Sequence, residues 1–187
     1  MIINVRFNDH IISIRGKISK SIGILFKLRD MIPRNSLRLL YYALIHPYML
    51  YCLPIYGATY EVHLNPLYVL QKSALRAITN SNYDADINTM FQNCRILKLH
   101  DLYKLDLAIY AYKHPELRDL HRREHSYHTR FSHELLPPAE RLRSTRQSVI
   151  FNSIIIWNNL PNSLQTSRSL DIFKKQCKNF LLEQYTP

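Results

Sequence analysis

Four histidines, His121, His125, His128 and His133, crowd together with Glu124 and Glu134 in one short stretch of the chain. His121 and His125 are four residues apart, the spacing that sets two imidazoles on one helix face and lets them share a metal ion. No HExxH frame and no nearby cysteine accompanies them, and the stretch carries no apolar period. A solvated polar loop is the stronger reading, because ligands on an unstructured segment must be ordered as the metal binds. The carboxylates Asp84 and Asp86 flank Ala85 in NSNYDAD. In so turn-like a run they read as caps for the next helix rather than as Mg²⁺ ligands. No serine lies in a GxSxG elbow and no cysteine has a histidine beside it to activate it, so nucleophilic catalysis finds no frame.

Absent chemistry narrows the class further. The glycines Gly16, Gly23 and Gly57 build no phosphate-cradling loop, which argues against a P-loop or a Rossmann unit. Cys52, Cys94 and Cys177 are odd in number and far apart, so they read as small core residues in a reducing, intracellular compartment, nuclear or cytoplasmic. The opening MIINVRFNDHIISIRGK lacks the apolar run and small-residue cleavage site of a secretory signal, and no apolar stretch is long enough to span a bilayer. Tyr41, Tyr42, Tyr48, Tyr51, Tyr56 and Tyr60 crowd one region. They read as core or interface packing before base stacking, because most lie on or beside apolar stripes.

What remains is charge. The 187 residues hold 25 Lys and Arg against 14 Asp and Glu, a net +11, with 47% hydrophobic residues to build a core. Such a balance suits a partner of phosphate-rich polymers. The excess is uneven: residues 1–60 carry +6, 61–116 none, 117–146 +3 and 147–187 +2. Two basic regions therefore bracket a neutral middle, as phosphate contacts flanking a packed scaffold would.

The elements that must position those charges show in the apolar period. Ile18, Ile22, Leu25 and Leu28 recur at helical spacing, with Lys17, Lys20, Lys27 and Arg29 off that stripe, which predicts a basic amphipathic helix. Leu37, Leu40, Tyr41, Leu44 and Ile45 make a second stripe that Pro47 ends or kinks. Leu64, Leu67, Gln71, Ala74, Leu75 and Ile78 make another over 62–79, where Lys72 and Arg76 share a different face and would repel unless something anionic lay near. A helix over 102–112 closes at His114-Pro115. From 116 to 147 the period fails and a linker or binding loop is expected. SVIFNSIIIW suits one short strand or a buried turn. Ser169 and Asp171 then open a last helix with the stripe Leu170, Phe173, Cys177, Phe180 and Leu181. The expectation is a mostly α fold: a helical array over 1–116, an Arg/His-rich loop over 117–147, and a C-terminal helical module over 148–187.

In order along the chain, KISKSIGIL (17–25), LYYALIHPYMLYCLPIYG (40–57), LYVLQKSALRAI (67–78), HSYHTR (125–130), WNNLP (157–161) and SLDIFKKQCKNFLL (169–182) form a specific combination. It resembles the C-terminal region of the reverse transcriptase of LINE-type, non-LTR retrotransposons of the jockey-like kind, over roughly residues 10–183. Three positions depart from the family pattern: Tyr56 stands for a usual Trp, DINTMF for His-Thr-x-Pro-Leu-Phe, and Ser153-Ile154 for a Gly-Pro.

The resemblance implies a thumb and tail that hold the template-primer duplex. The Tyr-x-Asp-Asp carboxylates and their Mg²⁺ belong to a palm that this sequence does not contain, so the chain is expected to be inactive alone and to carry no cofactor, and an enzyme reading holds only for a longer gene product. The implied partners are RNA or RNA-DNA duplex, met through backbone phosphates, and the rest of a reverse transcriptase, with no membrane. Lys17, Lys20, Lys27, Arg29, Lys72 and Arg76 are the expected contacts, with Arg130, Arg141, Arg143 and Arg146 as a second set. The alternative is a stand-alone helical interaction module acting through the Tyr-rich surface, or a remnant without activity.

Overall fold

The computed structural model describes residues 7–121, 134–139 and 142–185. Among these residues the fold is a mostly α helical array, with no strand. The chain groups into two compact units, one running to Leu102 and resuming at Leu181, the other Tyr103–Phe180.

The first unit is built on two long helices, α1 (Phe7–Leu28) and α5 (Glu61–Thr79), which pack on one another. Of the stripe predicted from spacing, Ile18, Ile22 and Leu25 are buried and Leu28 is half-buried, and Ile11 and Ile14 extend the buried stripe toward the start of α1. Burying each such side chain stabilises the fold by about 1.5–3 kcal/mol. Between the two helices in sequence come α2 (Arg34–Leu44), α3 (His46–Leu50) and α4 (Leu53–Tyr56). Pro47 and Pro54 each sit in the first turn of a short helix, where a missing N–H breaks no bond. Cys52 takes a left-handed backbone, φ 60°, to turn the chain between α3 and α4.

Asn80, also left-handed at φ 50°, ends α5, as asparagine can at little steric cost. Asp86 then caps α6 (Ile87–Cys94), accepting from the backbone N–H groups of Asn88 at 3.2 Å and Thr89 at 2.8 Å. The capping role expected of the NSNYDAD carboxylates therefore falls to Asp86. At the centre, the buried Gln71 amide accepts from Leu99 N–H at 2.9 Å and donates to Leu97 O at 2.8 Å and to the Tyr41 hydroxyl at 3.0 Å. A polar residue on an apolar stripe is tolerated because its amide is satisfied on both sides.

The boundary between units falls within α7 (Leu99–Lys113) and again within α12 (Leu170–Glu183). The second unit also holds α8 (Pro115–Leu120), α9 (Arg143–Arg146), α10 (Val149–Asn158) and α11 (Asn162–Gln165). Its core gathers Ala108 and Ala111 of α7, Leu135, Ile154 and Trp157 of α10, and Phe173 and Cys177 of α12. Tyr112 stacks on Phe173 with ring centroids 4.5 Å apart, and Trp157 lies 6.0 Å from the same ring.

Three expectations are corrected here. The run SVIFNSIIIW is a helix, α10, and not a strand: Ser148 accepts from Phe151 N–H at 3.2 Å as its cap, and Phe151, Ile154 and Trp157 bury one face. Its β-branched composition yields to tertiary burial. The segment expected to lack a period from residue 116 starts inside a helix, since Pro115 opens α8. Cys52 is exposed, whereas Cys94 and Cys177 are buried as expected.

Polar side chains hold the connections of this second unit. The Asn158 amide accepts from Leu135 N–H at 3.0 Å and donates to Leu135 O at 2.9 Å, imitating a backbone pairing. Gln165 donates to Trp157 O and Leu160 O, which ties α11 to the end of α10.

Candidate nucleic-acid interface

Lys17, Lys20 and Lys27 are all exposed on α1. Lys20 and Lys27 are seven residues apart, two turns and about 10 Å along the axis, on the side away from the buried stripe. Gly16 and Gly23 lie between and beside them with open space where a side chain would stand. No acidic residue occurs between His10 and Arg29, so the face keeps a positive potential along most of the helix. Neither Lys20 nor Lys27 has an ion-pair partner among the described residues. Lys17 lies to one side, its Nζ 5.4 Å from the centre of the half-exposed Tyr48 ring on α3.

Arg29 lies just past α1. Its Nε donates to Asp30 at 3.4 Å, and its guanidinium sits 5.5 Å from the Phe26 ring. Both groups of that pair are accessible to water, so it contributes little to stability, but Asp30 offsets the Arg29 charge locally.

On α5, Lys72 and Arg76 share a face one turn apart, as the spacing implied. Each cation rests on its own aromatic ring, an attraction that offsets part of their mutual repulsion. Lys72 Nζ lies 4.8 Å from the centre of Tyr68, and the Arg76 guanidinium lies 4.5 Å from the centre of Tyr83. Arg76 Nη2 also donates to Tyr83 O at 3.2 Å. Its Nε is enclosed and finds no hydrogen-bond partner among the described residues. Two of these aromatic partners had different sequence signals. Tyr68 precedes Lys72 by four residues, a helical spacing that points to the pair. Tyr83 lies beyond the end of α5, and no periodicity connects it to Arg76.

Beside this helix end lies a cleft of about 270 Å³ lined by Arg34, Thr79, Ser81, Ala85, Asp86, Thr89, Met90 and Asn93. Hydrogen bonds from the Thr89 side chain, and then from the Thr89 and Asn88 backbones, hold the Asp86 carboxyl below the usual carboxylate range. It is therefore ionised at neutral pH. Arg34, across the cleft, lies with Nη2 3.4 Å from Cys94 Sγ.

Of the second basic set, Arg146 lies at the end of α9, exposed, with its carbonyl accepting from Asn152 at 2.7 Å. Arg130, Arg141 and the Arg143 side chain lie outside the described residues, as do His125, His128 and His133. His121 is described: its Nδ1 is 2.9 Å from Leu136 O, a local backbone contact. Among the described residues no group of three metal-ligating side chains converges, and no helix is long and apolar enough to cross a membrane.

Compared with known proteins, the chain matches no family model, no curated sequence and no solved structure.

Proposed function

We propose that this chain is the thumb and tail of a non-LTR retrotransposon reverse transcriptase, a helical part that grips RNA or RNA-DNA duplex by its phosphates. The observation that carries the reading is the solvent face of α1. It presents Lys20 and Lys27 over bare glycine backbone, opposite the stripe that locks the helix onto the rest of its unit. A phosphate backbone can approach such a face closely, and contacts of this kind position a duplex without reading its sequence. Lys17, Lys72 and Arg76 extend the positive surface, each steadied by an aromatic ring.

Polymerisation itself needs paired carboxylates that hold metal ions, and no adjacent Asp-Asp occurs in this sequence. In this reading those groups, with their Mg²⁺, are supplied by a palm encoded elsewhere in the element. The chain's own residues hold the duplex in place.

Titration of an RNA-DNA hybrid at two salt concentrations tests the proposal. Affinity should fall steeply with salt, and the double substitution Lys20→Ala, Lys27→Ala should lower the slope of log affinity against log salt by about two while the far-ultraviolet helical signal is unchanged. An absence of binding at low salt would overturn it.

A second reading is favoured by one specific surface. Tyr51 at the end of α3, Ile55 in α4, and Tyr60 and Val62 at the start of α5 are all exposed, Val62 at 79%, which suits docking to a protein. On that reading, Tyr51→Ser with Ile55→Ser abolishes co-purification with a palm-and-fingers polypeptide and leaves hybrid binding intact.

A further inference from the structure

We infer that the connection between α5 and α6 is a stacking site for an unpaired base of the bound nucleic acid, with Tyr83 as its platform. This deepens the duplex-gripping reading and rests on it.

Tyr83 is 81% exposed, the most open tyrosine among the large exposed side chains of the described residues. A ring so placed contributes almost nothing to the core, yet it is held. The Arg76 guanidinium covers one face at 4.5 Å, and Arg76 Nη2 donates to the carbonyl of the same tyrosine at 3.2 Å. Arginine and ring therefore form one oriented unit, with the other face of the ring open to solvent. Stacking on an open aromatic face accepts any base, because every base has a π face, and a cation behind the ring adds to the attraction.

The neighbouring cleft supports the same ligand. Its volume of about 270 Å³ suits a nucleobase; the Thr79, Ser81 and Thr89 hydroxyls, whose protons are donated within the chain, line it as acceptors, and the Asn93 amide can both donate and accept. Asp86, ionised on the cleft wall, repels a phosphate and accepts from an exocyclic amino group. The edge of a base is favoured inside and the backbone outside. Bases inside a duplex have no free face, so the site selects a single-stranded extension or an opened end.

The test compares, with the full chain, a blunt RNA-DNA hybrid and the same hybrid carrying a short single-stranded RNA extension, by fluorescence anisotropy. The extension should tighten binding. Tyr83→Ala should remove that gain, a loss of roughly five-fold to a hundred-fold for stacked bases, whereas Tyr83→Phe should keep it. Tyr83→Ala should weaken binding of the extended hybrid far more than of the blunt one, whereas loss of the ring's support for Arg76 alone would weaken both equally. Equal binding of the extended hybrid by Tyr83→Ala and the unaltered chain would overturn the inference, as would equal binding of an extension lacking its bases. Were the blunt hybrid bound with the expected salt dependence in either case, the duplex grip would stand and the stacking site alone would fall.

Discussion

Gln71 donates from Nε2 to the Tyr41 hydroxyl across 3.0 Å, and both side chains are wholly buried. Through its other contacts, to Leu97 O and Leu99 N–H, one amide ties α5 to α2 and to the chain entering α7. Gln71→Leu keeps most of the volume but leaves a carbonyl and an N–H stranded in the core. The expected loss is about 2–5 kcal/mol, read as a lower urea midpoint, because a buried group without its partner costs more than an intact bond contributes. A midpoint equal to that of the unaltered chain would show that the amide acts only by filling space.

The second unit carries its own reporter. Trp157 is the only tryptophan in the sequence, and it is packed between the Arg118 guanidinium, 4.5 Å from its ring, and Phe173. Phe173→Ala removes the ring on which Tyr112 stacks and opens a cavity in the core, with an expected cost of about 3–5 kcal/mol. Trp157 emission should shift to longer wavelength at a lower denaturant concentration than in the unaltered chain. Unchanged emission through the transition would mean that the aromatic cluster is not the core of that unit.

Alkaline pH should weaken the fold. Burial pushes the Tyr103 phenol up to about 12, and burial raises Tyr41 and Tyr185 as well, Tyr185 with a further push from its hydrogen bond to Asp101. A folded value above the ordinary tyrosine value of about 10 means that the folded chain holds protons the unfolded chain releases. The resulting stabilisation is complete below about pH 10 and is lost as pH rises through about 12. The urea midpoint should therefore hold steady near neutrality and decline above about pH 10, and Tyr103→Phe should make that decline shallower. A flat midpoint through that range would contradict the burial of these phenols.

Much of the fold was readable before any coordinates, and the unread parts share a cause. The stripes on α1, α5 and α12 were legible because apolar residues at spacings of three and four leave the opposite face polar, so the period is visible. At α10 seven of ten residues are apolar, in two solid runs, 149–151 and 154–157, and so little contrast carries no clear period, so strand and helix looked alike. Burial of Ile154 and Trp157 against α7 and α12, with Ser148 as cap, decided for helix. The exposure of Cys52 was equally hidden, since it depends on a left-handed turn between two short helices.

For the site the division is sharper. By itself the sequence determined which cations exist, that Lys20 and Lys27 share a face free of acidic neighbours, and that Lys72 and Arg76 must lie together, because helical geometry is local and follows from spacing alone. Tertiary structure decided how two like charges coexist, by setting Tyr83 from beyond the end of α5 against Arg76 and turning the other face of that ring outward. The reason is physical: a contact between a helix and the segment after it depends on how the intervening turn at Asn80 folds back, and that turn is settled by packing rather than by the period of either element.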